Sequence, residues 1–194
     1  MIGRLCVFAG SNAGARPAYR VAAAALGRIF ATRGIGLVYG GARVGLMGVI
    51  ADAVLEAGGH VTGVMPQALV AKEVAHNGLT DLRVVSSMHE RKALMADLSD
   101  GFVALPGGWG TWGEFFEVLT WGQLGLHRKP CGLLNVDGYF DRLLSFVDHS
   151  IEQGFVRREY RPMISVSESP EVLLDILGAY RPPSVEKWLD PAST

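Results

Sequence analysis

Leu5-Cys6-Val7-Phe8-Ala9, running straight into Gly10-Ser11-Asn12-Ala13-Gly14, is the stretch that decides how this chain folds. An unbroken apolar run lacks the alternation of a half-exposed strand and matches one buried on both faces. The small-residue loop behind it leads to Pro17, which suits the first turn of a helix. That helix is alanine-rich, runs to about Thr32 and ends at Gly34.

The same unit recurs. Gly36 to Tyr39 reads as a strand, and the turn from Gly40 to Gly48 opens a helix to about Ala57, closed by Gly58-Gly59. His60 to Met65 is a further strand, stopped by Pro66. Short turns between strand, helix and strand require crossovers, so the sheet is parallel with helices on both faces. Residues 66 to 80 are less regular. Beyond them, strands are expected at Leu82–Val85, Phe102–Leu105, Cys131–Leu134 and Ile164–Val166, and helices at Met88–Leu98, Thr111–Leu124, Tyr139–Glu152 and Pro170–Ala179. The expected class is α/β, three layers around a mostly parallel central sheet. One domain over residues 1–180 and a loosely ordered tail over 181–194 complete the organisation.

Composition narrows the function. The 194 residues carry a net charge of −1 and no run of Lys and Arg, so no electrostatic footprint for nucleic acid or an anionic membrane exists. No signal peptide or membrane-length apolar run is evident, and a cytoplasmic protein is expected. Cys6 and Cys131 lie in apolar strands without a CxxC pair and read as small buried hydrophobes. The five histidines have no ligand-like spacing with each other or with Cys, so a metal site is not expected.

Ligands of open α/β sheets sit beyond the carboxyl ends of the strands. Three strand ends here carry small-residue turns: Gly10-Ser11, Gly40-Gly41 and Pro106-Gly107-Gly108-Trp109-Gly110-Thr111-Trp112-Gly113-Glu114. In the last of these, glycines let the backbone approach a ligand closely. Thr111 is expected to cap the following helix, whose free N–H groups suit an anion. Glu114 falls about one turn in. Neither G-x-G-x-x-G nor G-x-x-x-x-G-K-[ST] is present, which disfavours dinucleotide binding and P-loop ATP hydrolysis. Met88-His89-Glu90-Arg91-Lys92 opens another helix, and its Arg-Lys pair reads either as a phosphate clamp or as a solvated face. Arg91 and Glu114 also suit a salt bridge. Trp109 and Trp112 are placed either to stack on a base or to pack beneath the turn.

Pro-Gly-Gly-x-Gly-Thr-x-x-Glu (106–114) together with Met-His-x-Arg-Lys (88–92) resembles the LOG family, cytokinin riboside 5′-monophosphate phosphoribohydrolases long mislabelled as possible lysine decarboxylases. The likeness extends through residues 39–48, 51–59, 132–140 and 152–156. It implies a Rossmann-like homodimer that hydrolyses the N-glycosidic bond of an adenosine 5′-monophosphate, N6-substituted or plain, giving free base and ribose 5-phosphate without a cofactor. By position, Arg91 and Glu114 match the catalytic pair, and Gly107, Gly108, Gly110 and Thr111 the phosphate loop. Ser11, Gly41, Glu73, Met88, Lys92, Trp109 and Thr120 complete the implied substrate- and phosphate-binding set. Three residues depart from the family pattern: Ala42 for a third glycine, Trp109 for a frequent Tyr, and Gly113 for an acid. The alternatives are a non-catalytic nucleotide-binding or carrier protein, a pyridoxal-phosphate decarboxylase using one of few lysines, and an interaction protein.

Overall fold

The computed structural model describes residues 2–70 and 75–183. Its sheet has seven strands, all parallel, in the order β4-β3-β2-β1-β5-β6-β7. The strands are β1 (Arg4–Phe8), β2 (Gly36–Tyr39), β3 (Val61–Pro66), β4 (Asp81–Val85), β5 (Gly101–Ala104), β6 (Cys131–Leu134) and β7 (Ile164–Ser167). The helices are α1 (Pro17–Thr32), α2 (Gly45–Glu56), α3 (Gln67–Val70), α4 (Met88–Asp97), α5 (Trp109–Leu124), α6 (Asp141–Glu152) and α7 (Pro170–Ala179). The expectation of a mostly parallel sheet is therefore sharpened to a wholly parallel one. Residues 184–194 of the tail fall outside the described residues.

Strand β1 shows why a continuous apolar run was needed. Leu5 and Val7 face a core built with α1, α2 and α7, while Cys6 and Phe8 face a second core built with α4, α5 and α6. Alternate side chains leave a strand on opposite faces, so covering both faces demands apolar residues at every position. Both cysteines are free and buried, as their surroundings suggested. Burial pushes the Cys131 thiol up to about 12.

Topology locates the site. From β1 the chain builds outward through β2 and β3 to β4, then returns to place β5 on the other side of β1. The strand order thus reverses between β1 and β5, and such a switch point opens a crevice beyond the strand ends. Hydrogen bonds fix the register there, from Leu5↔Gly101 to Phe8↔Ala104.

Candidate active site

A cleft of about 670 Å³ lies above this switch point. Volumes of this order are usual for small-molecule sites. The three glycine-rich turns meet in it and interlock. The Gly10 N–H donates to the Pro106 carbonyl (3.1 Å), and the Leu46 N–H donates to the Gly10 carbonyl (2.9 Å). Close approach requires glycine at Gly45: a Cβ there would lie 2.3 Å from the Ser11 carbonyl carbon, and its φ is +58°.

Helix α5 starts at Trp109, one residue after Gly108, earlier than the expected Thr111. Gly108, not Thr111, is the N-cap of α5, and no side chain caps it. A glycine has no side chain to turn back on the helix, so the first N–H groups stay open to a ligand. Thr111 instead sits buried in the first turn, with its Oγ1 in the space that a Cβ on Gly107 would need. Trp109 does not pack beneath the turn. It is 86% exposed at the cleft mouth, edge-to-face with Trp112 at 5.1 Å.

The second half of the site comes from α4. Ser87 caps it by accepting from the Glu90 N–H (3.1 Å), and the Glu90 carboxylate accepts from the Ser86 N–H (2.7 Å). This reciprocal arrangement resembles a capping box and sets the helix phase. Arg91 is thereby directed inward, 9% exposed, with Nε donating to the Val64 carbonyl of β3 (3.1 Å). Its Nη1 lies 3.3 Å from Glu114 Oε1. Burial raises the Glu114 carboxyl above its ordinary range, Arg91 and then Lys92 pull it back, and Glu117 pushes it up again; the net direction is upward. Cys6 faces the same carboxylate, and burial holds its thiol well above its ordinary value.

Several proposed residues lie apart from the cleft wall. Lys92 forms an ion pair with Glu117 (2.8 Å), one turn beyond Glu114. Met88 is exposed, its Sδ 3.8 Å from Arg91 Nη1. Gly41 turns the chain at φ +78° rather than lining the cleft. Thr120 donates to the Phe116 carbonyl (2.7 Å) and lines a different cavity, between α5 and α6. Glu73 lies outside the described residues. Ser11, Gly107, Gly108, Trp109, Gly110, Thr111, Arg91 and Glu114 all line the cleft.

Two residues escaped the sequence reading. Gly40 makes room for the arginine, since a Cβ there would lie 2.0 Å from Arg91 Nη2. The glycine pair Gly40-Gly41 was a usable signal, but only the fold identifies what fills the space. Tyr139, from the turn after β6, lines the cleft and donates its hydroxyl to the Gly107 carbonyl at 2.6 Å. The departure at Ala42 is accommodated because the left-handed positions of its turn are Gly41 and Gly45. Ala42 itself bridges to Ala75.

Among known proteins, a family profile described as "Possible lysine decarboxylase" matches residues 47–177. A probable cytokinin riboside 5′-monophosphate phosphoribohydrolase of Oryza sativa subsp. japonica is 49% identical over 179 residues, 92% of this chain and 73% of its own. A cytokinin riboside 5′-monophosphate phosphoribohydrolase of Arabidopsis thaliana is 48% identical over 93% of this chain and 84% of its own. In fold, the chain is similar to the molybdenum cofactor carrier protein of Chlamydomonas reinhardtii, with a TM-score of 0.68 at 22% identity over 93% and 100% of the two chains. A molybdenum cofactor binding protein from Rippkaea orientalis gives the same score and identity over 92% and 97%. At this identity the likeness concerns the fold alone.

Proposed function

The chain belongs to the family of cytokinin riboside 5′-monophosphate phosphoribohydrolases, and from that premise we propose that it hydrolyses the N-glycosidic bond of adenosine 5′-monophosphates, N6-substituted or plain. The observation that carries this reading is the buried Arg91–Glu114 pair beside interlocked glycine turns at one switch point. The open N–H groups of α5 suit the 5′-phosphate, which the helix dipole also favours. Toward β2 and β3 the wall turns apolar, with Leu46, Met47, Met65 and Leu69. That wall suits the base and an apolar group attached to it.

Breaking the bond builds positive charge on the ribose. Glu114, ionised, either stabilises that charge or draws a proton from the attacking water. Arg91 orients Glu114 and favours its charged form against burial. Phosphate binding far from the reacting carbon positions the sugar, so binding energy assists the chemical step.

The test incubates the protein with AMP and with N6-isopentenyl-AMP and separates the products by chromatography. Free base in step with substrate loss is expected. Intact nucleotide that nonetheless binds would favour the non-catalytic binder, and release of inorganic phosphate or nucleoside would contradict the proposed bond.

A further inference from the structure

The Gly107–Gly108 peptide presents a problem that the glycines themselves create. Neither flank carries a Cβ, so this peptide plane is free to rotate through conformations that other residues forbid. In a trans peptide the C=O and the following N–H point in opposite directions. One flip therefore replaces an N–H facing the ligand with a carbonyl, which repels an anion. Something must select the orientation.

We propose that Tyr139 is the positioning residue of the phosphate loop, its hydroxyl holding the Gly107 carbonyl so that the Gly108 N–H is turned toward the ligand. The bond is short, at 2.6 Å, and spans 32 residues of sequence. Its donor is itself held firmly. The Tyr139 ring packs edge-to-face on Tyr19 of α1 (5.7 Å, 77°) and on Phe140 (4.9 Å, 88°). The turn that delivers it is specified by Asn135, whose side chain accepts from the Phe140 N–H (2.7 Å) and donates to Asp141 (2.8 Å). Within that turn Asp137 adopts a left-handed φ of 51°, unusual for a residue other than glycine. Local strain there is held by the bonds around it and serves to aim the tyrosine. The phenolic proton is committed to the carbonyl, which makes Tyr139 an anchor of the loop rather than an acid for the leaving base.

This role rests on the phosphate-loop reading above, and its test separates the two. Tyr139→Phe keeps the ring and its packing and removes only the hydroxyl. KM for AMP and Kd for ribose 5-phosphate are expected to rise about fivefold to tenfold, the effect of one lost hydrogen bond. The inhibition constant of adenine, which carries no phosphate, is expected to stay within about twofold. Equal weakening of adenine and ribose 5-phosphate, or no change in either, overturns the role. If the wild type releases no base, the hydrolase reading falls, while a ribose 5-phosphate affinity that still depends on the hydroxyl upholds the positioning role.

Discussion

At the scale of single residues, the site is governed by how one carboxylate is kept usable in a place that disfavours its charge. Burial raises Glu114 and Arg91 opposes the rise. If ionised Glu114 carries the reaction, kcat/KM falls as pH drops through this raised value, above the ordinary carboxylate range. Removing the neighbouring positive charge disfavours the anion further, so Arg91→Gln should move the acid limb to higher pH as well as lower the maximum. A pH–rate profile of both proteins checks this, and a limb that stays put or moves down contradicts it. Gly40 offers a second residue-scale prediction. A Cβ there would meet the far end of the Arg91 side chain, which can yield without disturbing the backbone. Gly40→Ala should therefore leave the melting temperature nearly unchanged while lowering kcat/KM on the order of 10²-fold, as misplacement of about 1 Å does. Comparing thermal melts with steady-state rates tests this. The pairing of Arg91 with Glu114 was legible in the sequence, but the contact of Gly40 with Arg91 was not, because the two are 51 residues apart and no local pattern joins them.

At the scale of elements, helix α5 shows what sequence captures and where it slips. Its existence, its end at Leu124 and its place after an apolar strand were all readable from the run Gly101 to Leu124. Its first turn was not. Thr111 has the chemistry of a cap, but Gly108 holds the N-cap position and the threonine is needed beneath the loop, where it fills space left by Gly107. Packing decided against propensity there. Trp109 likewise has the composition of a buried residue and the position of a rim residue. Lys92 and Thr120 fit the family pattern by sequence, yet one is drawn to Glu117 and the other faces the groove between α5 and α6. Gly113 lies exposed within α5 with nothing within 4 Å of where a Cβ would stand. Gly113→Ala should therefore stabilise the protein by about 0.5–1 kcal/mol, from helix propensity alone. For a chain of this size that corresponds to a rise of about 1–4 °C in Tm, readable by calorimetry. A fall in Tm would mean that the position meets a partner.

At the scale of the whole molecule, continuous apolar strands and glycine-closed helices made the parallel α/β architecture readable. What the pattern could not convey was the order of strands, and the order is what matters for function. Only the reversal between β1 and β5 brings residues near 10, 40, 91, 107 and 139 to one crevice. Phe116 and Phe146 are partly exposed on α5 and α6 beside a cavity of about 290 Å³. We propose that this surface is where two copies of the chain meet in a homodimer. Light scattering should give twice the 20.8 kDa chain mass. Phe146→Glu should shift the population toward single chains, and a monomeric wild type would contradict the proposal.

The claim that Glu114 acts on the bond between ribose and base is tested most directly by comparing the wild type with Glu114→Gln, following AMP binding by calorimetry and base release in a single turnover. The variant is predicted to bind AMP within about threefold of the wild type, since most binding interactions remain, and to release base at least about 10²-fold more slowly. Release at the wild-type rate, with binding intact, would remove Glu114 from the chemistry.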